Sequence, residues 1–328
     1  MGLDGVRKRL EDAVYNPAVE AIKYLDGLSI GDLSVESNKW FTKLLKFSKD
    51  TQMNGKRFRA KLALVSSWSF NLSIETAISL GSFVEMVQTA SLVHDDVVDD
   101  ADTRRGNSSV RNTMGNRFAV LTGDYILSLA LSELSKITQK KLTKIFASVV
   151  SQMTLGEAME LEYTGNPMRS LSHYFSTISL KTASLISFAT YAPSIVADAE
   201  SHTCEKLKTL GSQLGLVFQL VDDILDFVSP DGKKTFKDFD QGLATLPLII
   251  LNDSNLFNNS HNQILLMLRD RSLLKRSVGI AREHQNQSIQ LLENMPSCFP
   301  KDSIVKFKGM CSEIFDRLPI DLLNHKGA

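Results

Sequence analysis

The stretch FVEMVQTASLVHDDVVDD, residues 83–100, decides the fold. From Phe83 to His94 it is apolar on nearly every face, and then it runs straight into acids. A helix of that kind belongs in a protein core rather than on a surface. LGSQLGLVFQLVDDILD, residues 210–226, repeats the arrangement. Outward from these two stretches the pattern stays helical. Leu142, Ile145, Phe146, Val149, Val150 and Met153, for example, follow i, i+3, i+4 spacing. No strand-like alternation recurs, and no fixed-period repeat is visible. The pattern predicts an all-α, single-domain protein over residues 1–328, built from ten or more helices. Its eight prolines (Pro17, Pro167, Pro193, Pro230, Pro247, Pro296, Pro300 and Pro319) are expected at helix ends and connections. Connections are expected near 48–55, 103–116, 164–170, 228–242 and 252–260, where Gly, Asn, Ser and charges collect.

The acids carry the chemistry. On a helix, i and i+4 share a face, so Asp95 points with Asp99 and Asp222 with Asp226. The same arithmetic predicts one stripe through Gln88, Ser91, Asp95, Asp99 and Asp102, and another through Gln219, Asp222, Asp223 and Asp226. A solvated acidic face is the usual reading of such runs. It fits poorly here, because like charges one turn apart destabilise a helix by roughly 0.2–0.5 kcal/mol per pair. Burying an unpaired carboxylate costs several kcal/mol more. Two apolar helices carrying such stripes imply a cation to hold. Oxygen-only ligands suit magnesium, which keeps waters and takes phosphate oxygens as further ligands. No His or Cys cluster with zinc spacing is present.

Cations stand nearby. Asn54-Gly55-Lys56-Arg57-Phe58-Arg59 places Lys56 and Arg59 on one helical face, and Arg104-Arg105-Gly106 follows the first acid cluster. Guanidinium groups grip phosphate oxygens bidentately. Either group alone reads as a solvated turn; beside DDVVDD, the second reads as an anion site.

Composition narrows the classes. Lys plus Arg and Asp plus Glu both number 37, so no basic excess points to nucleic acid. Cys204, Cys298 and Cys311 lack metal-ligand spacing and leave an odd thiol, as in a reducing compartment. The longest uncharged stretch, residues 182–197, is short of the ~20 apolar residues of a spanning helix. The first residues show neither signal nor transit bias, so a cytoplasmic location is expected, or a mitochondrial or plastid one for a processed form.

The motifs together resemble the trans-isoprenyl (polyprenyl) diphosphate synthases, of long-chain type. The matching segments are NGKRFRAKL (54–62), SLVHDDVVDDADTRRG (91–106), LTGDYILSLA (121–130), LKTASL (180–185), GLVFQLVDDILD (215–226), GKKTFKDF (232–239) and GLATLP (242–247). The resemblance implies a helical bundle around a central cavity, a homodimer and Mg2+ as cofactor. Isopentenyl diphosphate and an allylic diphosphate are the implied substrates, and the product a prenyl diphosphate longer than fifteen carbons. Asp95, Asp96, Asp99, Asp222, Asp223, Asp226 and Lys181 are the implied catalytic residues, with Asp95, Asp99 and Asp222 on the metal. Arg104, Lys181, Thr182, Gln219 and Lys233 would hold the allylic diphosphate. Lys56, Arg59, Gln88 and Arg105 would bind isopentenyl diphosphate, with Phe218 against its hydrocarbon part. Small Ala90 and Ser91, one turn before Asp95, would let a growing chain pass, with a floor deeper in the protein at Phe146, Val150 or Met153. Three positions depart from the family pattern: Gln88 stands where His is common, Leu243 (followed by Ala244) where Lys is common, and Ala60 replaces a common Pro. A geranylgeranyl diphosphate synthase and a non-catalytic regulatory subunit are the alternatives. The second predicts eroded Asp or Arg positions, and none is eroded. A terpene cyclase lacks this combination of a Gly-Lys-Arg segment with two Asp motifs.

Overall fold

The structure is a computed structural model, and it describes residues 57–104, 107–228, 236–269, 272–297 and 299–323. The chain divides into two compact units, Met1–Leu142 and Thr143–Ala328. The described residues are helical apart from one two-stranded hairpin and the connections.

In the first unit, α1 (Phe58–Ser69) and α2 (Ile74–Val98) precede β1 (Thr103–Arg104), β2 (Asn107–Ser108), α3 (Val110–Met114) and α4 (Asn116–Ser135). The hairpin pairs Thr103 with Ser108 and Arg104 with Asn107. Ser73 starts α2 by accepting from the Thr76 N–H at 3.2 Å, satisfying one of the donors a helix leaves open at its start. Leu80, Phe83, Val84, Val87 and Ala90 are all buried, and their 3–4 spacing makes one face of α2. α2 packs chiefly on α4 and on α1. Each such side chain removed from water contributes roughly 1.5–3 kcal/mol.

The second unit holds α5 (Lys140–Glu162), α6 (Leu171–Ile178), a π-helical turn (Ser179–Ala183), α7 (Ser184–Val196) and α8 (Ser201–Leu225). After these come α9 (Lys237–Asp240), α10 (Leu246–Leu251), a 3-10 turn (Leu256–Asn258), α11 (His261–Arg269), α12 (Ser272–Glu293), α13 (Lys301–Phe315) and α14 (Ile320–Leu323). Helix α8 is the axis of this unit, packed on α7 along one side and α12 along another. Two glycines let neighbours close on the π-turn. A Cβ on Gly156 of α5 would stand 2.4 Å from the Lys181 backbone nitrogen. One on Gly215 of α8 would stand 2.4 Å from the Ala183 Cα.

The described prolines fall as expected with one correction, while Pro17 and Pro230 lie outside the described residues. Pro247 opens α10, Pro300 caps α13 and Pro319 precedes α14, but Pro193 lies inside α7, in its last turn. That late position leaves little helix beyond the missing N–H, and the Pro193 carbonyl still accepts from Ala197 at 3.0 Å. Two helices, Glu75–Val98 and Asn116–Ser135, are long and apolar enough to cross a membrane by length and composition. In the first, 61% of the apolar window is buried against protein; in the second, 39%.

Candidate active site

The first acid cluster sits where α2 ends. Asp95 and Asp96 lie in its last turn, and Asp99 is its C-cap, donating its N–H to the Asp95 carbonyl at 2.8 Å. The predicted stripe stops there. Asp100 takes a left-handed backbone, φ 51°, so Asp102 leaves the helix instead of extending the face. Asp and Asn tolerate that conformation better than most residues, and a pair of them is a natural stop. Arg111 of α3 gathers the turn: it donates to the Asp100 carbonyl at 2.5 Å, pairs with its carboxylate at 2.7 Å and reaches Asp102 at 2.9 Å. Through Arg111, Asp100 and Asp102 fasten a loop.

Asp96 is buried and accepts from Arg104 Nε at 2.7 Å and Nη2 at 2.6 Å on one oxygen. The arginine expected on a diphosphate is thus anchored by an acid of the same motif. Asp95 and Asp99 remain half-buried at the helix end. His94 beside them reaches the Val120 carbonyl at 3.2 Å and Asp124 at 3.4 Å, which ties LTGDYILSLA to the acid motif. Gln88 and Arg59 are half-buried, and Ala90 is 2% exposed. Ser91 turns its hydroxyl back to the Gln88 carbonyl at 2.9 Å. Lys56, Arg105 and Lys233 lie outside the described residues.

In the second unit the acids at the end of α8 divide three ways. Asp222 pairs with Arg317, which lies 95 residues on in sequence and whose guanidinium stands 5.0 Å over the Phe218 ring. Asp223 is 1% exposed and accepts from the Tyr174 hydroxyl, from Gln219 Nε2 at 2.8 Å and from the Leu246 N–H at 3.5 Å. Burial pushes its carboxyl up to about 7, against the opposing pull of the Tyr174 and Gln219 hydrogen bonds. Burial likewise raises the Tyr174 hydroxyl. Asp226 caps α9, accepting from the Lys237 and Asp238 N–H groups at 3.1 and 3.3 Å. Asp238 is itself pushed well above the carboxylate range, by burial first and then by the charges of Asp223, Asp226 and Glu160.

Lys181 and Thr182 project from the π-turn. Such turns recur at functional sites because they displace a side chain from the helical repeat. Lys181 pairs with Glu157 at 2.9 Å and with Glu160. Burial alone would lower its ammonium, but these two carboxylates hold it above the usual lysine value. Thr182 donates to Gln219 Oε1 at 2.8 Å. Leu243, where a lysine is common, is half-buried. Sequence reading missed Arg111, Glu157, Glu160, Tyr174, Arg169 and Arg317. Only Glu157 and Glu160, three apart on one helix, left a local signal.

Among the described residues no three His, Cys, Asp or Glu side chains converge as a closed metal cage. Magnesium takes one or two carboxylates per ion and completes its shell with water and phosphate. Half-buried Asp95, Asp99 and Asp222 fit that need in kind. Asp223 and Asp226 are more deeply buried, and their oxygens also accept from protein donors.

Comparison with known proteins agrees. Solanesyl-diphosphate synthase 1 of Oryza sativa is 32% identical over 78% of this chain and 67% of its own length. Decaprenyl-diphosphate synthase of Dictyostelium discoideum is 32% identical over 77% of this chain, which spans 59% of that protein. In fold, a decaprenyl diphosphate synthase from Rhodobacter capsulatus matches 96% of this chain and 99% of its own with a TM-score of 0.82 at 22% identity. Residues 39–275, which include both acid motifs and the π-turn, match the polyprenyl synthetase family, and the chain belongs to it.

Proposed function

We propose that the protein condenses isopentenyl diphosphate with an allylic diphosphate, head to tail, to a trans polyprenyl diphosphate of long-chain type. The carrying observation is the family match across both acid motifs, with relatives named for long-chain products. Residues 1–328 then act as one synthase domain. Asp95, Asp99 and Asp222 would hold magnesium, which when bound neutralises charge on the leaving diphosphate. Lys181, kept protonated by Glu157 and Glu160, and Arg104, aimed by Asp96, would each donate charged hydrogen bonds to the allylic diphosphate, and Lys233 and Gln219 are the further residues the resemblance assigns to it. Charge fixed in advance in a water-poor site is the largest contribution such residues make to lowering a barrier. The allylic C–O bond breaks, the isopentenyl double bond attacks the resulting cation, and a proton leaves to complete the new double bond. Released diphosphate is the proposed base. Lys56, Arg59, Gln88 and Arg105 take isopentenyl diphosphate, and Phe218 packs on its hydrocarbon part.

Ala90 and Ser91 leave room for a tail. Exposed Phe118, Leu121 and Leu131 on α4 favour a homodimer that covers them, read out by sedimentation near twice 36.4 kDa. The expected location is cytoplasmic, or mitochondrial or plastid for a processed form. The deciding experiment incubates the protein with magnesium, labelled isopentenyl diphosphate and several allylic primers, then separates the dephosphorylated products. Chains longer than fifteen carbons support the reading; no condensation with any primer overturns it.

A further inference from the structure

Inside the second unit, Tyr174, Asp223, Gln219 and Thr182 form one hydrogen-bonded line with a fixed direction. Tyr174 is 1% exposed and donates to Asp223 Oδ2, while Gln219 Nε2 donates to Oδ1 at 2.8 Å. A side-chain amide can sit either way round, and Asp223 in its ionised form, whose two oxygens only accept, selects one of them. Gln219 must turn its NH2 to Asp223, so its Oε1 faces Thr182, whose hydroxyl donates to it at 2.8 Å. The Thr182 hydrogen is therefore spent inside the protein. The donor this line has left to offer outward is the second hydrogen on Gln219 Nε2. Arg169 braces the far end: it is buried, 5.5 Å over the Tyr174 ring, and its Nε donates to His173 Nδ1 at 3.1 Å.

We propose that Tyr174 and Asp223 are positioning residues that lock the Gln219 amide so that its Nε2, and not the Thr182 hydroxyl, donates to the allylic diphosphate. The inference rests on the proposed prenyl transfer. It changes two roles the resemblance implied: Asp223 aims a donor instead of a metal, and Thr182 is a brace.

Steady-state kinetics of Tyr174→Phe, which deletes one hydroxyl and keeps the ring, tests this. Loss of one aimed donor to a charged ligand should raise KM for the allylic diphosphate about tenfold. KM for isopentenyl diphosphate should stay near wild type, with only the modest fall in Tm that one lost buried hydrogen bond brings. Gln219→Leu should show the same allylic rise, and the double variant should be no worse than Gln219→Leu alone, because both remove one interaction. If Gln219→Leu leaves the allylic KM unchanged, the reading of the site fails. If it raises that KM and Tyr174→Phe does not, or if the two effects multiply, the inference alone fails. Equal rises in both KM values with a fallen Tm also overturn it, since that is loss of structure. Asp223→Asn is the second variant should Tyr174→Phe not fold; a selective allylic rise supports the lock and an unchanged KM refutes it.

Discussion

Two acid motifs that look alike in sequence are built on opposite principles. In DDVVDDAD, residues 95–102, three acids are balanced by guanidinium groups: Arg104 holds Asp96, and Arg111 holds Asp100 and Asp102, whose side chains are 78% and 71% exposed. In DDILD the second and third acids are buried and answered by neutral donors: a phenol, an amide and backbone N–H groups. Asp222 meets a cation, Arg317. The difference teaches that a motif of repeated Asp is a mixture of jobs. On the proposed reading, some carboxylates face the chemistry, and the rest build the walls that aim them.

The largest expected effect separates these jobs. Asp95→Asn and Asp222→Asn should each lower turnover by ~10² or more with the fold intact, because both groups act where charge develops. Asp100→Asn and Asp102→Asn should stay within about threefold, as loop fasteners balanced by an exposed ion pair worth at most about 1 kcal/mol. Rates at saturating magnesium, compared across the four variants, break the comparison if all fall alike.

The second effect is on product length. One turn before Asp95 stand Ala90 and Ser91, whereas one turn before Asp222 stands Phe218. An α-helix rises ~1.5 Å per residue, so these positions lie ~6–8 Å below their carboxylates. Ala90→Phe should shorten the product without abolishing condensation, and Phe218→Ala should leave length unchanged. Chromatography of the products reads both; an unaltered distribution in Ala90→Phe removes the tunnel from this side.

A smaller effect tests how tight the second region is. Gly215→Ala pushes a methyl into the Ala183 backbone and should cost about 1–3 kcal/mol, as overpacking does. Thermal unfolding checks it. An unchanged Tm would mean that α8 and the π-turn are not pressed together.

The smallest effect is a pH dependence. The folded protein keeps the Asp223 proton up to about pH 7, while the unfolded chain releases it near the ordinary value of 3.8. Between those values the native state binds more protons, so stability falls as pH rises from about 4 to about 7 and levels off above. Asp223→Asn should remove that decline. Tm measured with EDTA across this window, variant against wild type, should show a difference that drifts with pH; a constant difference contradicts the buried acid.

The helical fold was legible because apolar residues in α2 and α8 recur without polar interruption, and helical period is a local property. Both acid motifs were legible for the same reason. Asp102 was misplaced because continuing a stripe assumes a continuing helix, and a single left-handed residue, Asp100, ended it. The partners that fix each acid were hidden by distance along the chain: Tyr174 lies 49 residues before Asp223 and Arg317 lies 95 after Asp222. No spacing rule reaches so far. Such pairs exist only once helices have packed.

The π-turn has a consequence for chain length of another kind, that of the polypeptide. From Leu171 to Val196 the backbone is one uninterrupted rod, and its middle carries one residue more than an α-helix would use. That extra residue is taken up as a local bulge, so the two halves keep nearly the phase of a plain α-helix while the side chains of the turn are displaced from the helical repeat. Deleting Leu180 would remove no side chain assigned to the site, and it would let the rod relax into a plain α-helix with both halves in place. Tyr174 would keep its contact with Asp223, while Lys181 and Thr182 would be re-aimed. A relative one residue shorter here would therefore keep its buried tyrosine pair and need another way to present its lysine.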